Sequence, residues 1–203
     1  MTLSWKQLRP EVRARIDLRT TKPHVKSKAR MAGGRKARIA GSQLEGAILA
    51  SSYLPGCPVC LEQLPACGAR FVGKGRAHPL PIPCDFIGVV RRFGHPLDGG
   101  LIGHALFLDA KSCGPKLGAI RLNDPKILKP HQRRFLVAMR DAGGIAGLLV
   151  ECRKLHSFLW LDAGHLEIVG NLSWSDGRWL VLGPTNAPIA FARLLQAYRL
   201  EES

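Results

Sequence analysis

The 203-residue sequence is short of negative charge. Thirty lysines and arginines face fifteen aspartates and glutamates, a net charge of +15. That deficit makes nucleic acid the first partner to consider and an acidic membrane surface the second. Long apolar runs are also lacking. No uninterrupted stretch approaches bilayer-spanning length and no signal-peptide pattern opens the chain, so a soluble, cytoplasmic protein without a membrane partner is expected. There is no Walker A motif and no dinucleotide-binding glycine pattern, which argues against a nucleotide cofactor. The seven histidines include no H-E-x-x-H, and no internal repeat occurs. The length suits one domain with a single core.

A second C-x-x-C is missing too. Cys57-Pro58-Val59-Cys60 stands alone, with Cys67, His78 or Cys84 as the other candidates to complete a zinc site. Six cysteines in a cytosolic chain are expected to be reduced. Ordinary buried thiols are therefore the expectation and zinc the alternative.

What is present is distributed unevenly. Residues 1–40 hold twelve lysines and arginines against Glu11 and Asp17, a net +10, which leaves +5 for the rest. Residues 2–19 have Trp5, Leu8, Val12 and Ile16 on one helical stripe. Residues 20–41 are rich in Lys, Arg and Gly and read as a flexible arm that orders on a charged partner. The candidate phosphate contacts in the arm are Lys26, Lys28, Arg30, Arg35, Lys36 and Arg38. A solvated basic tail is the alternative.

From Ser42 the pattern changes. Ser42-Gln43-Leu44-Glu45 fits a capping box and predicts a helix start. Residues 58–64 read as a strand. Pro65 to Pro83 is rich in Gly and Pro and carries Arg70, Lys74 and Arg76, further candidate DNA contacts on a surface loop.

Two apolar runs then carry acids. Cys84-Asp85-Phe86-Ile87-Gly88-Val89-Val90 opens with one, and Phe107-Leu108-Asp109-Ala110-Lys111-Ser112 ends with an acid and a lysine. On a strand, Asp109 and Lys111 share a face. Buried charge is costly unless it is paired or coordinated. The pattern thus predicts either a plain ion pair or a metal site with a lysine beside the attacking water. The Gly/Pro-rich segment 91–100 reads as a hairpin connection. Antiparallel pairing across it would bring Asp85 near Asp109, an oxygen-ligand pair suited to Mg²⁺ or Mn²⁺.

Farther on, a basic loop over 116–129 leads to a helix opened by Pro130. Phe135, Leu136 and Met139 form its apolar face, with Gln132 on that face, and Gly143 stops it. A glutamine so placed either finds a specific partner or faces water. Residues 145–152 read as a strand covered on both faces, with 158–161 beside it. An irregular hairpin over 165–182 carries Trp174 and Trp179, expected in packing rather than on bases. A helix over 188–200 closes the chain.

The order Asp85-Phe86-Ile87-Gly88, Asp109-Ala110-Lys111-Ser112, His131-Gln132 and Gly143-Gly144-Ile145-Ala146 resembles the RecU-type Holliday junction resolvases and their phage relatives, within the PD-(D/E)XK nuclease superfamily. The resemblance covers roughly residues 42–162. It implies an α/β, restriction-endonuclease-like core, with a central mixed sheet of four or five strands flanked by helices. Residues 1–41 would be the arm and 42–203 the nuclease domain, with 163–203 a C-terminal hairpin and helix. It further implies a Mg²⁺-dependent, homodimeric enzyme of a bacterial cell or phage-infected host, cutting four-way DNA junctions by paired nicks.

The implied site residues are as follows. Asp85, Asp109 and the Ala110 carbonyl would ligate Mg²⁺, for which Mn²⁺ would substitute. Lys111 would orient water, and Gln132 would border the site. Glu45 would stand near the metal, although the capping box explains it equally well. The segment 65–83 lies where these enzymes carry a stalk that enters the junction. One departure is Asp109, since glutamate is commoner there. The alternatives are another PD-(D/E)XK repair or restriction-type nuclease, or a non-catalytic DNA-binding module.

The basic arm generates a test. Each phosphate neutralised contributes roughly 0.9 to the log–log salt slope on B-DNA. Deleting residues 1–38 is expected to weaken DNA binding and flatten that slope. An unchanged slope would mean that the arm does not touch DNA.

Overall fold

A computed structural model describes residues 28–64, 69–72, 76–79, 83–91, 101–167 and 170–201. The chain divides into two units, residues 1–37 and residues 38–203, and the central sheet lies in the second. The expected helix over 2–19 and Lys26 fall outside the described residues, as do the side chains of Lys28, Arg30, Arg35, Lys36, Arg38, Arg70, Lys74 and Arg76.

The first helix among the described residues, α1, spans Lys28–Ser52. It starts well before Ser42 and inside the stretch expected to be a loose arm. The reason lies in the apolar spacing. Ala40, Leu44 and Ile48, four residues apart, are all buried, so the stripe that docks the helix begins upstream of the supposed cap. Ser42 and Glu45 are consequently interior helical residues, and the capping box does not form. At the other end, Ser51 Oγ donates to the Ala47 carbonyl at 2.7 Å and Ser52 Oγ to Leu49 at 2.9 Å. Such side-chain bonds compete with the backbone ladder and suit a helix end.

Six strands make the central sheet, in the order β1-β4-β5-β7-β8-β10. They are β1 Val59–Gln63, β4 Phe86–Val90, β5 Ala105–Cys113, β7 Ile145–Cys152, β8 Ser157–Asp162 and β10 Leu180–Pro184. Only β5 and β7 are parallel; the other neighbours are antiparallel. The sheet is mixed and flanked by helices, as expected, but has one strand more than the four or five anticipated.

The extra strand comes from the region read as a hairpin. β10 joins the sheet beside β8, while β9 (Asn171–Ser173) pairs instead with β6 (Ala119–Arg121), a short strand inside the expected basic loop. The segment expected as a stalk or loop contains a two-stranded antiparallel ribbon, β2 Ala69–Val72 with β3 Arg76–Pro79.

Strand alternation sorts the side chains into two cores. Leu106 and Leu108 of β5 face a first core that includes Ile48 of α1, Phe86 of β4 and Leu194 of the last helix, α3 (Phe191–Glu201). Phe107 and Cys113 face the second, with Leu136 of helix α2 (Pro130–Asp141), Leu148 and Val150. β7 is buried along nearly its whole length, as expected of a strand covered on both faces. Trp174 and Trp179 are buried with ring centroids 5.5 Å apart. Their indole N–H groups donate to the carbonyls of Leu117 and Ser173. They therefore pack, and do not present faces for stacking on bases.

α2 opens with Pro130 and closes at Gly143, whose φ of +85° is the left-handed turn that glycine tolerates. Phe107 and Phe135 meet edge to face beneath it, centroids 5.6 Å apart.

Glycine at 147 is a packing requirement. A Cβ there would lie 2.3 Å from the Leu161 carbonyl oxygen and 2.6 Å from the Trp160 ring. Gly147→Ala is expected to cost about 2–4 kcal/mol in urea unfolding. Gly46→Ala, in α1 with nothing within 4 Å of the added methyl, should instead gain about 0.5–1 kcal/mol. Equal effects from the two substitutions would contradict this packing.

Candidate active site

The sheet brings two acids and a lysine together where β4 begins. The β4–β5 register places Phe86 opposite Leu108. Immediately before that pair, the Asp85 N–H donates to the Leu108 carbonyl at 3.1 Å. One step farther along β5 the partner strand has ended. The Ala110 N–H therefore donates to a side chain, Asp85 Oδ2, at 2.8 Å. The N–H and C=O of one strand residue leave on the same side. The Ala110 carbonyl thus opens toward the same edge as Asp85.

Asp109 is fully buried. Its Oδ1 accepts a hydrogen bond of 2.6 Å from Gln132 Nε2 on the first turn of α2. Its Oδ2 makes no hydrogen bond but is ion-paired with the Lys111 ammonium. Lys111 Nζ also lies 3.6 Å from Asp85 Oδ2, with the Lys111 and Asp85 side chains 22% and 29% exposed. One edge of the site is therefore open to solvent and the other sealed.

Gln132 is buried because both ends of its amide are used. Its Oε1 accepts from the Lys129 N–H at 3.2 Å while its Nε2 holds Asp109. It thus caps the helix start and fixes the carboxylate at once.

Burial is the main reason that the Asp109 carboxyl is pushed up to about 7. Lys111 opposes that push, and the nearby Asp85 adds to it. The same surroundings act on Cys84, expected from the sequence as a buried thiol, with zinc ligation the alternative. Burial first, and then the charges of Asp109 and Asp85, raise its thiol to about 12. Its Sγ–H donates to the Phe86 carbonyl at 3.3 Å, so it forms the apolar floor of the site. Its place beside Asp85, two residues before β4, is the signal the sequence offers for that role.

Glu45 is not brought to the acids by any hydrogen bond or ion pair among the described residues. Its Oε2 accepts from Gln63 Nε2 at 3.0 Å. Gln63 lies on the β1 face of Val59 and Leu61, which line the first core, whereas Asp109 and Lys111 point to the second. The link to the site is indirect: Leu64, next to Gln63, donates its N–H to the Asp85 carbonyl at 2.9 Å.

Cys57 and Cys60 are free thiols. Among the described residues no three His, Cys, Asp or Glu side chains cluster as metal ligands. Cys67 and the His78 side chain lie outside the described residues. What the site offers a metal is two carboxylates and one backbone carbonyl. These are hard oxygen donors, which fit Mg²⁺ or Mn²⁺ and not a thiophilic ion. The partly solvated edge, and an Asp109 oxygen held only by the Lys111 ammonium, fit the same group.

The raised Asp109 value has a consequence for stability. The unfolded chain releases this proton near 3.8 and the folded chain only near 7. Stability present below the lower value is therefore lost as pH rises through the upper one. Asp109→Asn removes that loss. In metal-free buffer the variant should exceed the parent by about 2 kcal/mol at pH near 8, and the difference should shrink toward pH 4. Urea midpoints at both pH values check this. A variant less stable at the higher pH would mean that the Lys111 ion pair outweighs desolvation.

No protein-family model matches the chain, and no curated protein sequence matches it. Among solved structures, the chain is similar to Archaeoglobus fulgidus Hjc, a Holliday junction resolvase from an archaeal hyperthermophile. The TM-score is 0.44 and the identity 15%, over 75% of this chain and 99% of that one.

Proposed function

We propose that this chain is a Mg²⁺-dependent DNA endonuclease that resolves four-way junctions. The observation that carries the reading is the convergence of Asp85, Asp109 and Lys111 at one sheet edge, where β4 has ended and the Ala110 carbonyl faces outward. A plain ion pair would need one acid. Two carboxylates sharing one lysine, one of them fully buried, leave an excess of negative charge that a divalent cation would balance.

Asp85, Asp109 and the Ala110 carbonyl would hold Mg²⁺, with Mn²⁺ able to replace it. Bound there, the ion would polarise a scissile phosphate and lower the pKa of an attacking water. The remaining work falls to the chain. Gln132 holds the Asp109 carboxylate in one orientation, which keeps the ligand geometry fixed before substrate arrives. The Lys111 ammonium, pointing into the same space, would orient the nucleophilic water and offset charge on the phosphate in the transition state. Glu45 would act through Gln63 on the placement of β1. The expected product ends are 5′-phosphate and 3′-hydroxyl.

The junction as substrate is supported by the excess of basic residues. It is supported also by the β2–β3 ribbon, which occupies the chain position where the resemblance puts a junction-entering stalk. Resolution requires cuts in two symmetry-related strands. One such site occurs among the described residues, so a two-fold homodimer would match the substrate.

A synthetic four-way junction, a linear duplex of the same sequence and Mg²⁺ separate the possibilities. The parent should nick the junction and spare the duplex, whereas equal cutting would point to a repair or restriction-type enzyme. Asp109→Asn and Lys111→Ala should each lower cutting by at least about 10³-fold while junction binding survives. Near-normal cutting by Asp109→Asn would falsify the site. Light scattering should give a mass near twice 22.2 kDa; a strict monomer, free and on junction DNA, would weigh against resolution.

A further inference from the structure

A second concave site lies between β9 and the connection from β5 to β7. It is an open cleft of about 310 Å³ between the β6–β9 ribbon and the turn that precedes α2. That volume is near the lower end of the range for small-ligand sites, about 300–1,000 Å³. Leu117, Ala119 and Ile127 give it apolar walls, and Arg121, Asp124 and Asn171 give it polar groups.

These polar groups are pre-arranged. Arg121 Nε–H donates to Asn171 Oδ1 at 2.8 Å, which sets a guanidinium and an amide side by side and leaves their other N–H groups as donors. Asp124 Oδ1 accepts from the Lys126 N–H at 2.9 Å, and its second oxygen is an acceptor. Apolar walls that flank both donors and acceptors suit a flat heteroaromatic ring with a mixed edge.

The surroundings specify what carries that ring. Over residues 114–134 the chain has Lys116, Arg121, Lys126, Lys129, Arg133 and Arg134 against the one acid Asp124. Such a strip attracts a phosphate backbone. The cleft is also close to the acids. Ile127 is two residues from Lys129, whose N–H bonds Gln132, which bonds Asp109 at 2.6 Å. At about 3.5 Å per residue, the cleft wall lies within roughly 15 Å of Asp109, a few nucleotides along a strand.

We propose that this cleft receives one unstacked guanine of the strand being cut, a few nucleotides from the scissile phosphate. Guanine is the base that offers acceptors, O6 and N7, to Arg121 and Asn171, together with an amino donor to Asp124. The inference rests on the nuclease reading for its strand, but not for its ligand.

The test uses the full-length protein and junctions that carry 2-aminopurine beside single guanines, with Ca²⁺ present to permit binding without cutting. One probe, beside a guanine within three nucleotides of the cut, should brighten on binding, as a base that loses its stacked neighbour does. In Mg²⁺, guanine at that position should be cut at least tenfold faster than the other bases. Asn171→Ala and Ala119→Phe, the first removing a donor and the second filling the cleft, should abolish both effects while slow cutting of non-guanine sites persists. Thermal melting confirms that each variant is folded.

Cutting by the parent with no brightened position, or a guanine preference retained in both folded variants, overturns the cleft and leaves the nuclease reading intact. Brightening that both variants lose, with no cutting by the parent, supports the cleft and overturns the nuclease reading. Failure to bind DNA overturns both.

Discussion

A fully buried carboxylate is the constraint around which the chain is built. Asp109 stands on the face of β5 that packs against α2, and an unpaired charge there would cost several kcal/mol. Lys111 and Gln132 meet that requirement, one from the same strand and the other from the helix laid across it. The helix must therefore begin where it does. Lys129 has to offer its N–H to Gln132, and Gly143 and Gly144 must turn the chain sharply enough to start β7 beside β5. A Cβ on Gly144 would lie 2.9 Å from the Met139 carbonyl oxygen, so the turn admits little else.

The second acid is positioned by an ending rather than by a contact. β4 begins two residues short of pairing Ala110, and Asp85 accepts the hydrogen bond that the ladder would have supplied. Frayed pairing at a strand end is ordinarily satisfied by water. Here the side chain that satisfies it also adds a negative charge 3.6 Å from the Lys111 ammonium. The backbone and the charged groups are thus solved together, and the same break leaves the Ala110 carbonyl without a β4 partner.

Much of this was legible from local pattern. Alternation put Asp109 and Lys111 on one face, the run Ile145–Cys152 announced a strand without a polar side, and Pro130 and Gly143 bracketed α2. Gln132 was legible because it shares the helical stripe of Phe135 and Leu136. Other features depend on distant partners and left no local mark. The start of α1 was misjudged because Ser42 and Glu45 imitate a cap, while Ala40 reveals the earlier start only once its burial is known. β9 and β10 were read as one hairpin because they are adjacent in sequence. Their actual partners, β6 and β8, lie outside that stretch. The partner of Glu45 left no local mark either, because only the assembled sheet brings Gln63 to it.

The single parallel pairing, β5 with β7, has a further meaning. Parallel neighbours cannot be joined by a tight turn and need a long crossover. In this chain that crossover holds α2, β6, the cation-rich turn and most of the wall of the open cleft, inserted between Cys113 and Ile145, while Asn171 of β9 completes that wall. The acids belong to strands that the cores hold rigid, whereas the surface beside them is carried largely by one excursion of the backbone. Changes in the length or sequence of that excursion away from Gln132 would alter what lies next to the acids without moving them. The topology therefore separates two kinds of inheritance, a chemistry that must stay fixed and a neighbouring surface that is free to diverge.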